Sequence, residues 1–95
     1  MKRRLVREEL KEQIYEFVPL GKYIVSAPGV SRGRPTFKYT RIEVAGILER
    51  LAAGESIDEL VRGFQGRFSR PALEEAIHLA AKALVLSTKP RTIVK

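Results

Sequence analysis

The sequence predicts an α+β domain that is mostly α: an N-terminal helix and a short β-hairpin, then a three-helix bundle of helix-turn-helix type. Three observations predict it. Apolar residues recur at helical spacing from Val44 to Leu84, with capping signals at each start. Residues 15–18 alternate like a strand and residues 23–26 read as a second one, on either side of a Pro-Leu-Gly-Lys turn. Ninety-five residues at 44% apolar content are enough for one small, aliphatic domain and leave little room for a second.

Residues 3–14 read as an amphipathic helix. Leu5, Val6, Leu10 and Ile14 fall near one stripe, and Arg4, Glu8, Glu9, Lys11 and Glu12 lie elsewhere. Tyr15-Glu16-Phe17-Val18 then alternates like a strand, Pro19-Leu20-Gly21-Lys22 signals a turn, and Tyr23-Ile24-Val25-Ser26 returns. The Pro- and Gly-rich stretch Ala27–Pro35 is loop chemistry, and Thr36–Tyr39 is a short third strand. Thr40-x-x-Glu43 is a capping-box pattern that starts the first of three helices, with Val44, Ile47, Leu48 and Leu51 buried and Gly54 at C′. Ser56-x-x-Glu59 is a second box, for a helix that buries Ile57, Leu60, Val61 and Phe64 and stops near Gly66. Ser69 caps the third helix, with Pro71 in its first turn and Leu73, Ala76, Ile77, Ala80 and Leu84 inward. That helix leaves off near Ser87. The chain divides into an N-terminal extension (1–22), a strand, loop and trihelical domain (23–86) and a basic tail (87–95). A plain three-helix bundle without a nucleic-acid role has the same outline.

The absence of cysteine excludes disulfides, thiolate metal sites and cysteine nucleophiles, and fits a reducing cytoplasm. Residues 5–18 mix apolar with charged side chains, unlike a signal peptide, and no stretch approaches the ~20 apolar residues of a membrane span. The net charge is +7 and unevenly spread. Residues 2–7 carry Lys2, Arg3, Arg4 and Arg7 without an acid, and residues 22–41 carry Lys22, Arg32, Arg34, Lys38 and Arg41 without an acid. Acids gather in 43–62. A polyanionic partner accounts for this asymmetry, and so does an arginine-rich, heat-adapted surface.

Within the basic segment, cations alternate with Phe37 and Tyr39, as in a ribbon that enters a major groove. Arg32, Arg34 and Lys38 are its expected DNA contacts, joined by Arg67 and Arg70 before and at the third helix and by Lys2, Arg3 and Arg4 as an arm on phosphates. Arg41, at a helix N-terminus where a cation opposes the dipole, is expected to be engaged internally. The third helix is a poor groove reader, because Glu74 and Glu75 follow Arg70 and oppose phosphate. Both acids suit the start of a helix. Leu5, Val6, Leu10 and Ile14, with Ile93 and Val94 in the tail, are the expected contacts to a protein partner. His78 is the only histidine, and no constellation for catalysis, metal or cofactor accompanies it. Gly29 and Gly33 lack the context of a phosphate loop.

The order Gly33-Arg34-Pro35, Thr40-Arg41-Ile42, Leu51-Ala52-Ala53-Gly54-Glu55-Ser56 and the Ala-rich run from Ala76 to Ala83 resembles the domain-of-unknown-function 433 family across Tyr23–Leu84. Members of that family usually carry glycine before Thr-Arg-Ile, where this chain has Tyr39. An altered backbone just before the first of the three helices is the expectation. Ala27-Pro28 stands for an Asp-Pro, and Phe64-Gln65-Gly66 for a Tyr-Pro. The resemblance implies a homeodomain-like trihelical core and an antitoxin-like role similar to VapB antitoxins: masking a PIN-like nuclease toxin and binding operator DNA. The expectation is a cytoplasmic, non-enzymatic protein that acts as a homodimer without a membrane. The alternative is an interaction module that covers an acidic protein and binds no DNA.

Overall fold

Alternation with a period of two, not 3.6, governs the start of the chain. The computed structural model describes residues 4–88. Four strands come first: β1 (Val6–Leu10), β2 (Gln13–Pro19), β3 (Ile24–Ser26) and β4 (Thr36–Phe37). Three helices follow: α1 (Val44–Ala52), α2 (Ile57–Gly63) and α3 (Arg70–Ser87). The strands form one antiparallel sheet in chain order.

The expected N-terminal helix is therefore wrong, and with it the fold class of a helix, a small hairpin and a bundle. Residues 6–19 are two strands of a four-stranded sheet. Leu10 faces Gln13 across the two-residue turn Lys11-Glu12, and Lys11 takes the left-handed φ of 54° that such a reversal uses. The register sets Val6 opposite Phe17 and Glu8 opposite Tyr15, with Arg7 opposite Glu16 on the outer face. Arg7 closes a 2.7 Å ion pair with Glu16. This pairing splits the supposed helical stripe: Val6 packs with Phe17, while Leu5 and Ile14 are 51% and 63% exposed. The aromatic and β-branched residues of 14–18 fit a pleated surface well, and the pairing with β3 settles the contest.

Strand β3 stands between two cores. Ile24 faces the helices and packs with Phe37, Val44, Ile47, Leu60, Phe68 and Leu73. Its neighbour Val25 faces the other way, onto Phe17 and Ala27. Glu75 of α3 locks this sheet to the helices, because its carboxylate accepts the N–H groups of Lys22 and Tyr23 at 2.8 and 2.7 Å. Gly21 makes room for that contact; a Cβ there would lie 2.7 Å from the carboxyl carbon. The helix dipole alone does not describe the role of Glu75.

The helix signals are realised unevenly. Ser56 and Glu59 form a reciprocal capping box, and Ser69 accepts the N–H of Ala72. Gly54 is left-handed at φ 109° just beyond the C-cap of α1. Thr40, however, does not cap α1. Its hydroxyl donates to the Phe37 carbonyl and accepts from the Ile42 N–H, and the helix starts after Glu43. The bond from the Phe37 N–H to the Ile42 carbonyl closes 37–42 as a loop and delays the helix. The inward stripe of α3 also ends early: Leu73 and Ala76 are buried, but Ile77 and Leu84 are exposed. Among the described residues no helix is long and apolar enough to cross a membrane.

Candidate nucleic-acid interface

Phe37 and Phe68 stack at 4.3 Å between centroids, with planes 11° apart. This stack joins two loops that lie far apart in sequence. After Phe37 the chain turns through Tyr39, whose φ is 69°, and Arg41 is set outward. Before Phe68 it reverses through Gln65 and Gly66, both left-handed at 56° and 73°, and Arg67 is set outward. Arg41 and Arg67 thus line the same cleft, of about 490 Å³, with Tyr15, Tyr39, Ile14 and Val30. Arg67 also borders a neighbouring hollow of about 440 Å³ with Lys22, Tyr23 and Lys38.

Tyr39 organises this surface. Its N–H donates to the Tyr15 hydroxyl at 3.0 Å, its own hydroxyl donates to Glu8 at 2.7 Å, and its ring packs on Tyr15. Glu8 also pairs with Lys38 at 3.6 Å, and the Lys38 ammonium lies over the rings of Phe17 and Tyr39. Burial alone would lower the Lys38 pKa, but the Tyr39 oxygen and Glu8 outweigh it and hold the ammonium above its ordinary value. Besides the β2–β3 pairing and the packing of Phe17 on Val25 and Ala27, this turn ties the outer part of the N-terminal hairpin to the domain. Tyr39 takes a left-handed φ of 69°, a conformation that glycine adopts without strain, while its amide, hydroxyl and ring are all engaged.

The cations singled out in the sequence fall into two groups. Arg34 grips Glu43 with two 3.0 Å bonds, which raises the guanidinium pKa and lowers that of the carboxyl. Arg70 is held by Asp58 at 2.7 Å and Glu74 at 3.3 Å, and Lys38 by Glu8. These three are ion-paired with acids of the same chain at its surface, so the ribbon of Arg32, Arg34 and Lys38 is not a set of unpaired charges. Arg32, Arg67 and Arg4 are exposed and have no side-chain partner among the described residues; Arg32 does not share the cleft. Arg41 is exposed and unpaired as well, against the internal role expected of it. Lys2, Arg3, Ile93 and Val94 lie outside the described residues. Leu5, Leu10 and Ile14 are exposed and Val6 is half-buried. His78 is exposed, and no group of three metal-ligating side chains occurs among the described residues.

Sequence reasoning named Lys22 only as part of the acid-free segment 22–41 and gave Arg41 an internal role. The signal was the absence of any acid between Lys22 and Arg41, although Glu43 follows two residues later. What sequence did not disclose was the pairing that removes Arg34, Lys38 and Arg70 from the tally.

The segment that supplies Arg41 and Arg67 is also where a likeness to other proteins appears. Residues 24–67 match the family model described as Protein of unknown function (DUF433). The match begins at β3 and ends at Arg67, so the β1–β2 hairpin and α3 lie outside the DUF433 segment, including the Ala-rich run that resembled the end of the family. No curated protein and no solved structure matches the chain.

Proposed function

We propose that this chain is an antitoxin-like regulator that binds DNA through Arg41 and Arg67 of the cleft and Lys22 of the adjoining hollow and engages a nuclease-type protein partner, acting as a homodimer in a cytoplasm. The observation that carries the DNA half is the survival of these unpaired cations on adjoining hollows among Tyr15, Tyr23 and Tyr39, after internal acids take up Arg34, Lys38 and Arg70. Guanidinium and ammonium groups that no acid pairs release counterions from phosphates. The DUF433 match covers the loops that present Arg41 and Arg67, and the antitoxin-like role rests on what the sequence resemblance implies. The protein half rests on Leu5, Leu10 and Ile14, which the hairpin leaves exposed. Those same residues favour the second reading, an interaction module that binds no DNA.

Anisotropy titrations against the duplex upstream of the chain's own gene, and against random duplex, separate the two over a salt series. Tighter binding to the upstream duplex, weakened by Arg41→Ala and Arg67→Ala more than by Arg34→Ala and Arg70→Ala, is the expected result. No binding at low salt leaves only the interaction module. Equal affinity for both duplexes removes the operator role.

A further inference from the structure

The apolar stripe of α3 begins in the core and runs off it. Ala76 is buried, whereas Ala80, Ala83 and Leu84, which continue the same face at helical spacing, are exposed. Leu84 and Leu86 are 67% and 75% exposed. A helix of this length gains little stability in water by itself, and its second half has no cover among the described residues. Beside it lies an apolar groove of about 330 Å³, walled by Leu20, Pro35 and Leu48 and floored by Ala45, Ala80 and Ala83.

We propose that a second copy of this chain covers that surface, with the two α3 helices packed antiparallel about a twofold axis near Ala80. Two observations select a second copy over another partner. The first is self-complementarity. The small residues of the groove and the large Leu84 lie on one helix face, on either side of Ala80. A twofold axis there carries Leu84 of each copy onto the exposed Ala80 of the other, at the mouth of its groove, so one operation covers both grooves. The second is charge. The chain carries +7 and repels its own kind over its basic faces, but Leu79–Thr88 holds a single ionisable side chain, Lys82. Within that stretch each copy brings only Lys82 to the contact. The inference does not depend on DNA binding, and a chain that pairs but ignores DNA leaves it standing.

Sedimentation equilibrium of the full chain tests it. The wild type is expected at twice its 10.7 kDa mass in the micromolar range. Leu84→Glu, which places a carboxylate in the apolar contact, weakens self-association by roughly 100-fold or more. Val85→Glu leaves it intact, because Val85 points roughly opposite the Ala76–Ala80–Ala83 face at about 100° per residue. Retained helical circular dichroism in both variants separates loss of pairing from loss of fold. The chain has no native cysteine, so Ala80→Cys supplies a unique thiol, and a short bis-maleimide is expected to link two copies through it. A wild type that stays monomeric at every concentration, with some other segment or protein over α3, overturns the proposal. So does an equal effect of Leu84→Glu and Val85→Glu, or the absence of any cross-link at residue 80.

Discussion

Tyr39 holds a left-handed φ of 69°, an angle that costs an L-residue roughly 1–2 kcal/mol relative to glycine. It keeps that angle while its hydroxyl, amide and ring hold Glu8 and Tyr15 of the hairpin. Tyr39→Gly is therefore expected to change global stability by less than about 1 kcal/mol, as relief of strain offsets lost contacts. Its effect falls on the hairpin: amide exchange in β1 and β2 speeds up by at least about tenfold while β3, β4 and the buried half of α3 keep their protection. Unchanged exchange in β1 would show that Tyr39 does not anchor the hairpin. Tyr39→Phe keeps the ring but loses the bond to Glu8, so it falls between the two. The Arg34–Glu43 pair makes a second test at this scale. The guanidinium fork holds the Glu43 carboxyl below its ordinary 4.5, so Glu43 favours the folded state above that value and this contribution is lost as pH falls through the folded value. Denaturation of wild type and Glu43→Gln across pH should show a constant difference at neutral pH that shrinks below 4.5. A difference that holds steady through acid would place the stabilising contact elsewhere. Only the local half of this chemistry was legible in the sequence. Ser56 with Glu59 lies within one turn and could be read; Arg34 with Glu43 and Tyr39 with Glu8 depend on how loops close.

Among the elements, the clearest coupling is the carboxylate of Glu75 across the turn between β2 and β3. It satisfies two N–H groups at once, and hydrogen bonds to charged groups are worth about 1.5–3 kcal/mol. Glu75→Ala should cost roughly 2–4 kcal/mol in urea denaturation, since both amides lose their partner. Gly21→Ala should cost about 1–3 kcal/mol by pushing the same carboxylate away. The two effects should not add, because the second substitution acts on a contact the first has removed. Additive losses would separate Gly21 from Glu75. The hairpin at 6–19 shows why element type was misread at one end of the chain and not the other. Leu5, Val6, Leu10 and Ile14 satisfy a helical period on paper, and Val6, Glu8, Tyr15 and Phe17 satisfy a strand period equally well. The contest is decided by long-range pairing: β2 joins β3 at Val18 and Pro19, and β1 follows β2. In α2 and α3 the caps sit next to the apolar period, so no distant partner was needed to read them.

Across the whole molecule, charge and shape are separated. Lys22, Arg41 and Arg67, which no acid pairs, border the hollows beside the sheet and turns, and the far half of α3 carries Lys82 alone among ionisable side chains. This separation lets DNA binding and pairing be measured against each other. Each guanidinium that contacts a phosphate contributes about 0.9 to the slope of log K against log salt. Removing Arg41 and Arg67 together should then lower the slope by about 2 for a single chain and by about 4 for a pair bound to one duplex. In wild type the larger drop is expected. In a Leu84→Glu background the same double substitution should give the smaller drop, and overall affinity should fall because two weak sites no longer act together. Arg34→Ala with Arg70→Ala is the matched control. Those side chains spend their charge on Glu43, Asp58 and Glu74, so their removal should move the slope by less than about 1. If the control pair shifts the slope as much as Arg41 and Arg67 do, internal pairing does not decide which cations meet phosphate, and the cleft loses its claim. If the drop is the same with and without Leu84→Glu, DNA is bound by single chains and the apolar end of α3 serves a separate purpose.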